Sequence, residues 1–157
     1  MTKAEILADF RVSMKWIEGM REWEAANWRS PIAEGKWKVA EVIGHLGPWD
    51  RFFLKNRLHP ILAEESLELY PGSDELNAKS ADLAREQSQD QTIQDFLATR
   101  SKLVEELSAL PEQSWHKPFT IGSNTTNLEE YFTGLVEHDE HHFNQIRQAL
   151  DLKGRWT

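Results

Sequence analysis

The sequence predicts an all-α protein, a four-helix bundle. Apolar residues recur at three-and-four spacing in four segments, strand-like alternation is hard to find, and stretches rich in Pro, Gly, Ser and Asn separate the segments. Amphipathic helices of these lengths can bury their apolar stripes only against one another.

The first helix opens on a capping box, Thr2 with Glu5, and carries Ile6, Phe10, Met14, Ile17 and Met20 down one face. It ends near Trp28, before "RSPIAEGK". The second begins about Trp37, repeats apolar residues at Val39, Val42, Ile43, Leu46, Trp49 and Phe53, and stops near His59 and Pro60. The third spans roughly Asp74 to Ala109, and the polar "REQSQDQ" within it marks a break into two helices. Its second half, Ile93, Phe96, Leu97, Arg100, Leu103, Val104 and Leu107, is strongly periodic. The fourth follows "KPFTIGSNTT", with Thr126 or Asn127 as N-cap and Glu129 or Glu130 completing the box. The loops Pro60 to Ser73 and Pro111 to Thr125 exceed the usual 2–8 residues between bundle helices, which predicts at least one crossover. With 157 residues and no linker or repeat, residues 1–157 are expected to form a single domain.

A formal net charge of −8 without a Lys/Arg run gives no electrostatic footprint for phosphate backbones or anionic lipid, so nucleic acid and membrane surfaces are excluded as partners. No apolar run approaches a membrane span and "MTKAEILADF" does not read as a signal peptide, so a soluble, cytoplasmic protein is expected. Without cysteine there is no disulfide, thiolate ligand or thiol nucleophile, and any metal must be held by His and carboxylate.

Three of six histidines fall within "EHDEHHF", Glu137 to Phe143. The steps Leu128, Tyr131, Leu135, His138, His142, Gln145 and Ala149 put His138 and His142 on one line, predicted to face the core, with His141 on the flank and Glu140 toward solvent. Two buried imidazoles need partners, and either a satisfied core pair or a shared divalent cation supplies them. His59 and His116, beside prolines, are expected on exposed loops. His45, in "EVIGHLGPWDRFF", shares a helix side with Trp49 and Phe52. Gly44, Gly47 and Pro48 predict a local bend there; either the helix breaks, or the bend aims His45 at the His138/His142 pair.

Trp37, His45 and Trp49-Asp50 in the second helix, with the "HxxxHxxQI" pattern His138, His142, Gln145-Ile146 in the last, resemble the DinB/YfiT-like family over nearly the whole chain. The resemblance implies a four-helix bundle with a long crossover in up-down-down-up order, often a homodimer, and a three-histidine metal site facing a small-molecule pocket. The ligands it implies are His45, His138 and His142, and not His141. Three neutral imidazoles suit Zn²⁺ or Ni²⁺ and leave coordination positions open. In family terms two activities follow: transfer of a low-molecular-weight thiol to an electrophile, the reading preferred here, or metal-dependent hydrolysis. With no cysteine in the chain, the first needs a soluble thiol as cofactor. Glu41, Asp50 and Glu137 are acid-base candidates, each expected to be a solvated helix-face carboxylate instead. Trp49 and Phe52 are expected to shape an apolar pocket, while most other tryptophans are expected in the core. A non-catalytic binding protein and a structural or stress-associated dimer are the alternatives to an enzyme.

Overall fold

In this computed structural model, which describes residues 1–70 and 72–150, most of the described residues are helical. In order they are α1 (Lys3–Gly19), a 3₁₀ turn (Met20–Glu22), α2 (Ala25–Trp28) and α3 (Val39–Phe52). A π-helical turn (Phe53–Arg57) joins α3 to α4 (Leu58–Leu62). Then come α5 (Ser73–Glu86), α6 (Gln89–Ser108), α7 (Glu112–His116), strands β1 (Phe119–Ile121) and β2 (Asn124–Thr126), and α8 (Leu128–Ala149).

Local chemistry sets the helix starts. The Thr2 hydroxyl accepts from Glu5 N at 3.2 Å while Thr2 N donates to Glu5 Oε1 at 3.0 Å, the expected capping box. Lys38 N donates to Glu41 Oε2 at 2.7 Å before α3. Ser88, inside "REQSQDQ", accepts from Gln91 N at 3.1 Å, so the predicted break separates α5 from α6. Asn127, rather than Thr126, caps α8 by accepting from Glu130 N at 2.9 Å.

The order of the helices follows from what packs at each end. One apolar cluster joins Ile6 and Phe10 of α1, Phe53 after α3, Leu103 and Leu107 of α6, and Leu128 and Phe132 of α8. A second joins Ile17 of α1, Val39 and Ile43 of α3, Ile93 and Phe96 of α6, and Phe143 and Ile146 of α8. Thus α1 and α8 run one way and α3 and α6 the other: up, down, down, up. The two parallel neighbours require a crossover. It is α5, which returns antiparallel to α3, with Trp49 Nε1 donating to Asn77 Oδ1 at 2.8 Å near its start and Ala84 against Gly44 near its end.

That last contact explains the glycines. A Cβ on Gly44 would stand 2.6 Å from Ala84 Cβ, and one on Gly47 2.9 Å from Thr99 Oγ1, so both permit close approach of α5 and α6 to α3. The helix does not break at Pro48: α3 is continuous through it. The second long loop is also more ordered than expected. It holds α7 and a small antiparallel hairpin, with Phe119 opposite Thr126. Leu67 of the other long loop bridges to Ile121, and Gly122 N donates to the Leu67 carbonyl at 2.8 Å.

Two glycine substitutions should separate packing from propensity. Gly134→Ala in α8, where an added Cβ meets nothing within 4 Å, should stabilise by roughly 0.5–1 kcal/mol. Gly44→Ala should instead cost about 1–3 kcal/mol through overpacking against Ala84. Urea denaturation of both variants checks the pair.

Candidate metal centre

α3 supplies His45, which is 2% exposed, and α8 supplies His138 and His142 one turn apart. Each offers a ring nitrogen, and these three atoms lie within 4.8 Å of one another. Ring centroids are separated by 5.7 Å (His45–His138), 4.8 Å (His45–His142) and 4.7 Å (His138–His142). In each case Nδ1 has an oxygen of its own. His45 Nδ1–H donates to the Val42 carbonyl at 2.5 Å, His142 Nδ1–H donates to Gln145 Oε1 at 2.9 Å, and His138 Nδ1 stands 3.6 Å from Asp139 Oδ1. For His45 and His142 the hydrogen-bond partner assigns the tautomer and leaves the lone pair on Nε2. Trp37 packs edge-on against His45, with centroids 5.0 Å apart.

Burial, with the neighbouring imidazoles, pushes the His45 pKa down to about 4; burial and His138 also lower that of His142. Both rings are therefore neutral at pH 7, the form that binds metal. Tetrahedral geometry at the roughly 2.0–2.1 Å of Zn–N bonds puts ligand nitrogens about 3.3 Å apart, so small side-chain adjustments close the triad around a cation. The donor set fits a divalent transition metal.

The stripe reading of α8 needs correction. Its buried line is Leu128, Phe132, Val136, Asp139, Phe143 and Ile146, displaced by one residue from the predicted line. His138 therefore sits on the shoulder of the helix with its side chain 46% exposed, and His142 is half-buried. An open site needs such a shoulder. His141 is exposed and outside the triad. His59 is exposed as expected. His116 is exposed too, between Glu112 at 3.5 Å from Nε2 and Glu129 at 3.4 Å from Nδ1. The three offer ligand atoms within 4.8 Å of one another, but on the surface, where acidic groups commonly cluster without a metal.

Behind the histidines lies an ion cluster that sequence reasoning missed. Arg100 of α6, fully buried, donates from Nε to Asp50 Oδ2 at 2.6 Å, from Nη2 to Asp50 Oδ1 at 3.3 Å and from Nη1 to Asp139 Oδ2 at 2.9 Å. Its guanidinium lies over the rings of Phe10 (4.6 Å) and Phe96 (4.9 Å). Burial pushes the Asp50 pKa up to about 6, while Arg100 and His138 hold Asp139 below its ordinary value despite its burial. Two of the carboxylates expected in solvent are thus buried: Asp50, and Glu41, which meets Arg85 Nε at 3.1 Å. Glu137 is exposed as expected. The available signal was position. Arg100 falls in register with Ile93, Phe96, Leu103 and Leu107, where a solvated residue does not belong.

Beside the triad a cavity of about 280 Å³ opens between α3 and α8, walled by Trp49, Asp50, Phe53, Tyr131, Leu135 and His138, with Leu103 and Phe132 at its back. Phe53 rather than Phe52 lines it. Phe52 instead stacks between Trp49 (centroids 5.8 Å) and Tyr70 (4.6 Å).

An up-down-down-up bundle with a three-histidine group at the mouth of an apolar cavity defines a class of helical protein able to hold a metal between two of its helices. The chain belongs to the DinB superfamily, whose family model matches residues 8–146. Two solved structures share the fold. YfiT from Bacillus subtilis, described as a probable metal-dependent hydrolase with an unusual four-helix bundle topology, is 18% identical with a TM-score of 0.77, over 94% of this chain and 85% of that one. An uncharacterized protein from Clostridium difficile 630 is 14% identical with a TM-score of 0.74, over 97% of both chains. No curated protein matches the sequence.

Two predictions follow from this geometry. In Zn²⁺ titrations of chelator-stripped protein, His45→Ala and His142→Ala should each weaken binding by more than the roughly 10–100-fold that losing an outer partner costs, Gln145→Leu should fall within that range, and His141→Ala should have no effect. Separately, Arg100→Met should destabilise the fold by about 3–5 kcal/mol in urea, because it strands two buried carboxylates.

Proposed function

We propose that this chain is a metal-dependent hydrolase of small, largely apolar esters or amides, with Zn²⁺ or Ni²⁺ held by His45, His138 and His142. One observation carries the reading: three imidazoles, each offering a ring nitrogen within 4.8 Å of the others, stand at the mouth of an aromatic-walled cavity large enough for a small molecule. The description of YfiT as a probable metal-dependent hydrolase supports it. When bound, a divalent cation would polarise a carbonyl and lower the pKa of water to near neutrality.

The chain's own groups divide the remaining work. Trp49, Phe53 and Tyr131 exclude bulk water and seat the apolar part of the substrate. Asp50, the carboxylate in the cavity wall, exchanges its proton near neutral pH because burial has raised it to about 6. Its Oδ1, which Arg100 engages at 3.3 Å against 2.6 Å for Oδ2, is the freer proton acceptor. Asp50 from α3 and His138 from α8 line the same cavity, so a carboxylate would be available to accept a proton from a nucleophile generated beside the histidines.

Thiol transfer, the activity preferred from sequence, uses the same histidines with a different nucleophile. The description of YfiT as a probable metal-dependent hydrolase favours water as that nucleophile. Hydrolysis of p-nitrophenyl butyrate by Zn²⁺- and Ni²⁺-loaded protein, with chelated protein and His45→Ala as controls, tests the proposal. Metal-dependent turnover, reduced at least 100-fold in His45→Ala and indifferent to added glutathione, is the expected outcome. Equal rates with and without metal would reject it, and metal-dependent conjugation of 1-chloro-2,4-dinitrobenzene only with thiol present would reassign the protein as a thiol transferase.

A further inference from the structure

Asp139 of α8 is 1% exposed and lies on the buried line of that helix, with Val136, Phe143 and Ile146. Its two oxygens differ. Oδ2 accepts from Arg100 Nη1 at 2.9 Å, whereas Oδ1 is buried with no hydrogen bond among the described residues. Asp50, which shares the same guanidinium, has both oxygens engaged. A buried carboxylate oxygen without a donor is costly enough to require a physical reason.

A donor is within reach one residue earlier: His138 Nδ1 stands 3.6 Å from Oδ1. Successive side chains on a helix point about 100° apart and do not ordinarily face each other. Here Arg100 holds the carboxylate by Oδ2, and the other oxygen is left on the His138 side. The remaining two histidines of the triad already have a closed contact at the same nitrogen, His45 with the Val42 carbonyl at 2.5 Å and His142 with Gln145 Oε1 at 2.9 Å. At His138 the corresponding contact is prepared but open. The His138 side chain is 46% exposed and so has room to move, and shortening the contact to an ordinary hydrogen bond of about 2.9 Å takes about 0.7 Å.

We propose that Asp139 is a positioning residue for His138: its Oδ1 accepts a hydrogen bond from Nδ1–H, which keeps the ring in that tautomer and presents the Nε2 lone pair to the cation shared with His45 and His142. This rests on the three-histidine metal reading and adds to it a line of contacts from the core, in which Arg100 holds Asp139 and Asp139 holds His138. One small movement of the ring then serves both the cation and the orphaned oxygen. Asp139→Asn gives the idea a direction. Arg100 Nη1 donates, so it keeps the amide oxygen on its own side and leaves the amide N–H on the side of His138. That N–H needs an acceptor, which Nδ1 supplies only in the Nε2–H form, where the Nε2 lone pair is lost to the metal.

Nitrogen-15 NMR of the histidine rings in metal-free protein, at a pH near 8 where imidazole is neutral, reads the tautomer, and Zn²⁺ titration reads the affinity. Wild-type His138 should be mainly in the Nδ1–H form. In Asp139→Asn it should pass to the Nε2–H form, and Zn²⁺ should bind at least tenfold more weakly. Gln145→Leu, which removes the partner of His142, should leave the His138 tautomer as in wild type. Loss of packing alone does not exchange one tautomer for the other, so the ring signals separate positioning from a merely structural role. An Nε2–H His138 in wild type, or the same tautomer in wild type and Asp139→Asn, would overturn the proposal, as would a switched tautomer with undiminished Zn²⁺ affinity. Asp50 still pairs Arg100 in Asp139→Asn, and circular dichroism confirms folding; should that variant not fold, the wild-type tautomer decides alone. Wild type that keeps His138 in the Nδ1–H form yet binds no Zn²⁺ would uphold the pairing and remove only the metal reading. Ester turnover independent of metal, with the tautomers as expected, would uphold the proposal and remove only the hydrolase.

Discussion

The guanidinium of Arg100 is the point on which the four bundle helices agree. Phe10 of α1 and Phe96 of α6 cover its faces, Asp50 of α3 holds Nε and Nη2, and Asp139 of α8 holds Nη1. Three charges buried in one place cost several kcal/mol each to desolvate, and only good geometry offsets that cost. A bundle held by apolar contacts alone tolerates small slips, because one methyl group replaces another. Here a slip of one residue along α8 would put His138 or Glu140 against the guanidinium in place of Asp139. The cluster therefore fixes the heights of α3 and α8 relative to α6. It lies between the two apolar clusters, so neither end of the bundle can shift without disturbing it.

The histidine triad inherits this register. Asp139 is next in sequence to His138 and three residues before His142, and Asp50 lies five residues after His45. Once both aspartates are placed, the three imidazoles have little choice of position. Val42, Gln145 and Asp139 then set the ring orientations from behind. The close approach allowed by Gly44 and Gly47 completes the frame by seating α5 and α6 against the helix that carries His45.

This dependence explains what the sequence revealed and what it withheld. Helix positions, caps and the break at Ser88 were legible because they are local: periodicity, an N-cap side chain and a polar run decide them within a few residues. The three histidines were legible from spacing and from the family pattern. The facing of α8 was not, because Tyr131/Phe132 and Leu135/Val136 offer two adjacent apolar lines of nearly equal strength. The choice turns on Asp139, which looks polar until Arg100, 39 residues away in sequence, is placed against it. Asp50 was read as solvated for the same reason. Gly44, Gly47 and Pro48 looked like a helix break because their packing partners, Ala84 and Thr99, come from other helices.

The cluster is also unbalanced, with two carboxylates for one guanidinium, and the imbalance faces the histidines: Asp139 Oδ1 is buried without a hydrogen bond, 3.6 Å from His138 Nδ1. Burial is the main cause of the upward push on Asp50, and the charge of Asp139 adds to it. The same charge favours a cation at the three neutral imidazoles, so a carboxylate can assist binding through His138 without becoming a ligand.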